Sequence, residues 1–155
     1  MNRVLLSFIA VAMGLCSFLP LHVSANDDPA LAAAMRFGRM KAMSCAGCHG
    51  MDGKGIERDG AWIAPSYESS EILKNDPEKL ALIILKGIKK ESEHYSGQMN
   101  GFEAVLDDRS LAAVMTYVRN QWGGHSDVVT ADQAKAWREK YADRTEAISP
   151  AELAE

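Results

Sequence analysis

Cys45-Ala46-Gly47-Cys48-His49 is the stretch of this 155-residue sequence from which the fold and the chemistry follow. Two cysteines three positions apart, followed at once by a histidine, form the C-x-x-C-H motif that attaches a c-type haem. The thiols of Cys45 and Cys48 are spaced to form thioethers with the two vinyl groups of one haem. The imidazole of His49 then serves as an axial ligand of the iron. The motif therefore predicts one covalently attached haem c.

Two other interpretations of the same cysteines remain. A redox-active dithiol is expected in a βαβ setting, and no such pattern flanks the motif. A structural zinc site usually takes four nitrogen or sulfur ligands, and only His94 and His125 are left to complete one. The glycine-rich loops and the export signal described below favour the haem.

The N-terminal residues have the features of an export signal. Met1–Arg3 carries a positive charge, Val4–Leu19 is almost entirely apolar, and Val23-Ser24-Ala25 offers small residues for cleavage. We predict that residues 1–25 are a cleaved signal peptide and that the protein is periplasmic, where covalent haem attachment is completed. An uncleaved anchor is the alternative. The apolar run is short for a bilayer span and no second one follows, so we expect no membrane span in the mature chain.

The charge of the chain limits its partners. There are 17 Lys and Arg residues against 21 Asp and Glu, a formal net charge of −4. Binding to phosphate backbones requires a basic surface, so the composition argues against nucleic acid as a partner.

Local signals predict an all-α protein. The segments that open helices share an Asp, Ser or Thr cap, several of them followed by proline, and the helices end at glycine. No alternating run is long enough for a sheet, and residues 47–60 form a glycine-rich loop that requires a packing partner such as a flat apolar cofactor. The predicted starts are Asp28-Pro29, Asp76-Pro77, Asp107 or Asp108, Thr130 with Gln133 as a capping box, and Ser149-Pro150.

Met99 is the best candidate for a second axial ligand of the iron. It lies 50 residues after His49 in the polar stretch 96–101, where a methionine has no core to fill. Met51 is too close to His49 to reach the opposite face of a haem, and Met115 falls on the apolar stripe of a helix. His94 as the ligand, or an open site suited to ligand sensing or peroxide chemistry, are the alternatives.

Pro65 is the candidate for a supporting role. Its carbonyl oxygen can accept a hydrogen bond from the second ring nitrogen of His49 and so fix the imidazole. An ordinary turn proline is an equal alternative. Four aromatic residues near predicted loops are candidates for the walls of a haem pocket or for ordinary packing, namely Trp62, Tyr67, Tyr95 and Phe102.

From Phe37 to Gly124 the sequence resembles the class I cytochrome c domain. The residues that carry the resemblance are the haem motif with Gly50, Ala64-Pro65, Met99 and the segment Leu111–Trp122. The resemblance implies short helices and loops wrapped around one haem, with residues 26–124 as the cytochrome domain and residues 125–155 as a helical extension. Two departures from the family are Asn100, where proline commonly follows the distal methionine, and Lys41, where an aromatic residue is usual.

The segment Thr116–Gly123 and the tail are similar to cytochromes associated with quinoprotein alcohol and sugar dehydrogenases. This similarity implies an electron carrier and not an enzyme, with a dehydrogenase as donor and an oxidase or another cytochrome as acceptor. A fixed cytochrome subunit of a larger dehydrogenase or oxidase complex is the alternative, and a ligand-binding or peroxidatic haem protein is a weaker one. Lys86, Lys89 and Lys90 form either a docking patch or a solvated helix end.

Overall fold

A computed structural model describes the protein over residues 28–90 and 97–153. The predicted signal peptide and the candidate residues His94 and Tyr95 lie outside the described residues. The haem motif, the candidate ligand Met99 and most of the tail lie within them.

Helices make up most of the described chain, as the sequence predicts. Seven α-helices are present in the described ranges, and a 3₁₀ turn at Ala42–Cys45 joins the first two. The α-helices are α1 (Pro29–Lys41), α2 (Ala46–His49), α3 (Glu71–Asn75), α4 (Pro77–Lys86), α5 (Asp108–Trp122), α6 (Ala131–Lys140) and α7 (Pro150–Leu153).

The predicted caps are confirmed. The side chain of Asp28 accepts a hydrogen bond from the Ala30 amide, and those of Asp76 and Asp107 accept from the amides three residues on. Thr130 and Gln133 form both hydrogen bonds of a capping box. Each cap satisfies amides that the first turn of a helix leaves unpaired, which is why these helices begin where the sequence indicates.

Two antiparallel ladders of two residues each complete the secondary structure. Strand β1 (Glu57–Arg58) pairs with β2 (Ala61–Trp62), and β3 (Gly87–Ile88) pairs with β4 (Met99–Asn100). These ladders are too short to show as alternating sequence. The sequence patterns also do not predict helix α3, although the Ser70 side chain caps it by accepting from the Leu73 amide.

Helices α1 and α5 cross at Gly38, and this crossing organises the fold. A Cβ atom at Gly38 would lie 2.0 Å from the carbonyl oxygen of Ala113 and 2.7 Å from Cβ of Tyr117. The two backbones approach this closely only because Gly38 has no side chain. Lys41, at the position where the resemblance implies an aromatic residue, lies beside the Phe37 ring. The contact between α1 and α5 is therefore built on a glycine.

Helix α5 supplies the centre of the hydrophobic core. Leu111 and Met115 are fully buried, which confirms Met115 as a core residue. Around them pack side chains from α3, α4 and the tail: Leu73, Leu80, Ala81, Ile84, Leu85, Val129 and Ala134.

The tail lies on this same core. Ala134 of α6 is fully buried and Trp137 packs against the core cluster. Ile148 is 2% exposed, and its backbone pairs with the β3 segment, since its amide donates to Gly87 and its carbonyl accepts from Lys89. The apolar side chains Ala134 and Trp137 of α6 thus pack against the rest of the domain.

None of the helices within residues 28–90 and 97–153 is both long and apolar enough to cross a bilayer.

Candidate functional site

The haem motif lies at a change of helix type. Cys45 is the last residue of the 3₁₀ turn and the N-cap residue of α2. Cys48 and His49 are the last two residues of α2. Both cysteines have free thiols, half-buried at Cys45 and exposed at Cys48. Three residues span nearly one helical turn, so this arrangement presents both thiols on one side of the chain.

His49 is held by a contact from the opposite loop. Its Nδ1 atom lies 3.3 Å from the carbonyl oxygen of Pro65. A carbonyl only accepts, so Nδ1 carries the proton and the lone pair of the imidazole is on Nε2. That tautomer leaves Nε2 able to coordinate a metal ion, and the carbonyl fixes the direction of the ring.

The protonation of His49 also suits coordination. Burial lowers the pKa of His49, and the hydrogen bond to Pro65 raises it by a smaller amount. Burial therefore favours the neutral imidazole, which is the form that binds metals.

A second contact on His49 does not follow from the sequence. The ring of Tyr67 stacks on the imidazole, with centroids 4.4 Å apart and planes inclined by 18°. Tyr67 in turn contacts Trp122 of α5 at 5.0 Å between centroids, and the indole nitrogen of Trp122 donates to the carbonyl of Asp52. The sequence indicates the tyrosine only as a possible pocket wall, because its partner is 18 residues away and no local pattern connects them.

Met99 lies on a segment separate from the one that carries the haem motif. It belongs to β4, opposite Ile88, and its half-buried side chain packs against the core cluster, so the expectation that a methionine here has no core to fill is wrong. The ladder requires a glycine at position 87, where φ is 79° and a Cβ atom would lie 2.2 Å from the Met99 carbonyl oxygen. The methionine is therefore anchored by its backbone. Its role as an iron ligand stays a prediction.

The other candidates fall in several places. Met51 is 62% exposed and Trp62 is 38% exposed, whereas Phe102 packs against the core.

Lys86 is almost fully buried and forms an ion pair with Glu103 at 2.6 Å. Lys89 is paired with Glu146 at 2.6 Å. Lysines 86 and 89 are thus engaged within the protein, which argues against the docking patch considered from the sequence.

His125 does not join the motif cysteines. Its Nε2 atom donates to the carbonyl of Lys74, and its Nδ1 lies 3.2 Å from the Arg119 guanidinium and 3.4 Å from the Asp127 carboxylate, so the ring is held by contacts away from the motif. In the part of the chain that the structure describes, no group of three or more His, Cys, Asp or Glu side chains could hold a metal ion.

The donor set fits a c-type haem. Two thiols at one end of a helix, an imidazole with a free Nε2, and a thioether on a separate segment are the groups that tether and ligate such a cofactor. A closed four-ligand zinc site would need further donors that the described residues do not bring to the motif.

Comparison with known proteins agrees with this donor set. The sequence model of the cytochrome c family matches residues 38–122. A cytochrome c-552 of Thermus thermophilus is 34% identical over 121 residues, which is 71% of this chain and 80% of that protein. A second cytochrome c-552 of the same species is 35% identical over 107 residues, covering 62% and 79%. A nicotinate dehydrogenase subunit of Pseudomonas putida is 32% identical over 80 residues, 51% of this chain and 6% of that protein.

Proposed function

This chain belongs to the cytochrome c family, and from that premise we propose that it is an exported one-electron carrier whose haem iron is held by His49 and Met99. Membership in the family makes it a haem electron carrier with covalently bound haem c. The ligand pair, the periplasmic location and the choice of partners are the new parts of the proposal.

The observation that carries the proposal is the contact between His49 Nδ1 and the Pro65 carbonyl. It directs the free Nε2 of an imidazole that follows directly after the two cysteines. The haem, when bound, supplies a reversible Fe(III)/Fe(II) couple. The residues of the chain have separate tasks: Cys45 and Cys48 form the thioether tethers, and His49 provides the axial nitrogen.

Met99 provides the second axial ligand in this proposal. A thioether sulfur is a soft donor that favours the reduced iron and raises the redox potential. Two protein ligands that stay bound in both oxidation states leave no open coordination position, so the protein passes electrons and does not transform a substrate. The backbone pairing of Met99 with Ile88 supports this role because it limits the movement of the ligand.

Two measurements test the proposal. Denatured protein on a gel should keep haem-dependent peroxidase staining, because thioethers survive denaturation, and Cys45→Ala with Cys48→Ala should lose it. The oxidised protein should show a weak sulfur-to-iron charge-transfer band in the far red that disappears in Met99→Ala and persists in Met51→Ala. If Met99→Ala keeps the band, another sulfur is the ligand, and if the wild type lacks it, His94 or an open site replaces Met99 in the proposal.

We place the protein in the periplasm, with a dehydrogenase as donor and an oxidase or another cytochrome as acceptor. The basis is the export signal pattern of residues 1–25. Protein isolated from the periplasm should begin near Asn26. A mature chain that still begins at Met1 would contradict the cleaved signal.

One observation favours a second candidate, a fixed cytochrome subunit of a larger dehydrogenase. Half of this chain matches a small part of a protein named as a dehydrogenase subunit. Native purification separates the two candidates, since a fixed subunit elutes with its dehydrogenase at constant ratio and a diffusing carrier elutes alone.

A further inference from the structure

Helix α1 exposes a stripe of cationic and thioether side chains. Arg36, Arg39, Met40 and Met43 are spaced three, four and seven positions from the first, so they share one face of the helix and its 3₁₀ extension. All four are exposed, Met40 by 59% and Met43 by 52%. The packed face of α1, at Gly38, lies elsewhere on the helix.

The stripe leads into a groove beside the haem motif. The groove has a volume of about 450 Å³ and lies between the 3₁₀ turn, α2 and the end of α5. Two exposed methionines line it, Met43 and Met51, and the wall includes Cys45. Its remaining side includes Tyr67, Tyr117, Gln121 and Trp122.

Exposed thioethers are concentrated here. Met40, Met43 and Met51 are three of the five exposed large hydrophobic residues among those the structure describes. The other two, Trp62 and Val105, belong to separate segments. Flexible, polarisable methionines adapt to many contours, and they recur at surfaces that bind other proteins.

The charge around the groove opposes the charge of the chain as a whole. Residues 29–51 include Arg36, Arg39 and Lys41 and no Asp or Glu, although the chain has a formal net charge of −4. Arg36 and Arg39 take part in none of the ion pairs found between described residues. Among the described residues that line the groove, Asp52 is the one acid, and its carboxylate accepts from the backbone amide of Lys54.

The groove is close to the proposed iron ligand. Trp122 in its wall contacts Tyr67 at 5.0 Å between ring centroids, and Tyr67 stacks on His49 at 4.4 Å. Cys45, a haem tether, is in the same wall. A protein seated in the groove would therefore be a few side chains away from the redox centre.

We propose that this groove and the stripe of α1 form the docking surface for a second redox protein whose contact face is acidic around an apolar centre. The proposal rests on the electron-transfer function proposed above. The apolar methionines form the centre of the contact, and the arginines at its edge steer the acidic partner towards it.

A second copy of this chain is a poorer occupant. A symmetric contact across a two-fold axis places the same patch on both sides, so it would bring the cationic stripe of one copy against the same stripe of the other. Like charges at a contact are unfavourable, whereas an acidic partner is attracted.

The first test maps the contact without measuring electron transfer. The haem-loaded protein is labelled with ¹³C at its methionine methyl groups, and an acidic blue-copper protein is added as the probe with both proteins reduced. The methyl signals of Met43 and Met51 should shift or broaden, while that of the core residue Met115 should stay in place. Shifts confined to other surfaces would overturn the proposal, and so would shifts of Met43 and Met51 that depend only on the concentration of the labelled protein, since those indicate self-association.

The second test uses matched variants and stopped-flow oxidation by the same probe. Arg39→Glu should slow the bimolecular reaction by roughly fivefold or more at low ionic strength, with the difference shrinking as salt is added. Lys135→Glu makes the same charge change on the exposed face of α6, where Lys135 is 62% exposed, and should have a much smaller effect. Met43→Gln should also slow the reaction, and Val105→Gln, at a residue 70% exposed, should not.

Equal effects of Arg39→Glu and Lys135→Glu would show that net charge and not this groove governs the encounter. Reduction by a small-molecule mediator is measured in parallel. If the wild type is reduced reversibly but the methyl signals do not respond to the probe, the docking surface is wrong and the proposed function stands. If reversible reduction itself fails, the proposed function is wrong.

Discussion

The imidazole of His49 and the phenol ring of Tyr67 are stacked, with their centroids 4.4 Å apart and their planes inclined by 18°. Together with the Pro65 carbonyl on Nδ1, the stack constrains both the tilt and the rotation of the imidazole. Burial raises the pKa of Tyr67 far above its ordinary value, so the phenol stays neutral. Tyr67 therefore holds the face of the His49 ring, and the Pro65 carbonyl holds its Nδ1 edge.

Loss of the Tyr67 ring should release the histidine. We expect Tyr67→Ala to lower the free energy of unfolding of the haem-loaded protein by about 2 kcal/mol, from lost burial and lost ring contacts. Tyr67→Phe keeps the ring and should remain within about 1 kcal/mol of the wild type. Denaturant unfolding measures the stability, and the midpoint potential reports the orientation of the ligand. A potential that is the same in all three proteins would show that the stack does not orient His49.

A side chain at Gly38 should disrupt the crossing of α1 and α5, and Gly47 in the haem motif offers a matched control. Gly38→Ala places a methyl group 2.0 Å from the Ala113 carbonyl oxygen, a backbone atom that cannot move aside without displacing α5. We expect a loss of at least about 2 kcal/mol in the free energy of unfolding. At Gly47 a Cβ atom meets nothing within 4 Å, so Gly47→Ala should be neutral or stabilise α2 by up to about 1 kcal/mol. Equal stability of the two variants in urea would contradict the close approach of the helices.

The sequence predicts the parts of this fold that depend on neighbouring residues. Asp28, Asp76, Asp107 and Thr130 each bond to an amide two or three residues on, so a short window contains the whole interaction. The haem motif is equally local, since its donors occupy five consecutive positions. Helix α3 is also capped locally at Ser70, but its five residues are too few to show a helical period.

The contacts that the sequence does not predict join distant segments. How the helices pack decides three such contacts: the stack of Tyr67 on His49, the pairing of Met99 with Ile88, and the backbone bridge between Ile148 and Ile88 of β3. The position of Gly38 shows the same limit. The sequence shows a glycine at position 38, but the need for it arises from the close approach of the Ala113 backbone, 75 residues later.

The tail should act as a brace for the core. Arg138 of α6 bonds to the carboxylate of Asp108 at 2.7 Å and to the carbonyl oxygens of Glu103 and Leu106. Arg138→Ala leaves these acceptors without their donor, and we expect a loss of about 2 kcal/mol in the free energy of unfolding. Lys135→Ala removes an exposed cation from the same helix and should change stability by less than about 0.5 kcal/mol. Equal losses in the two variants, measured by urea unfolding, would contradict the brace.

Truncation tests the brace more severely. A chain that ends at Gly124 loses Val129 and Ala134 from the core cluster and Ile148 from the edge of β3. We expect it to unfold at clearly lower urea concentration than the full mature chain and to hold its haem less firmly. A truncated protein with unchanged stability and spectrum would show that the tail is dispensable to the core and would contradict the brace.

Acid should release the end of the tail through Glu152. The Arg144 guanidinium and the amide and hydroxyl of Ser149 hold the pKa of Glu152 at about 2, below its ordinary value near 4.5. A carboxylate with a lowered folded-state pKa stabilises the fold fully above its unfolded-state pKa, and that contribution disappears as the pH falls through the folded-state value. The anchor of α7 is therefore complete above about pH 4.5 and lost near pH 2. The amide signal of Ser149 should titrate with a midpoint near 2 in the wild type and at a clearly higher pH, towards 4.5, in Arg144→Gln, while Lys135→Gln, remote from this carboxylate, leaves it in place. A wild-type midpoint already near 4.5 would show that Arg144 and Ser149 do not hold Glu152 in solution.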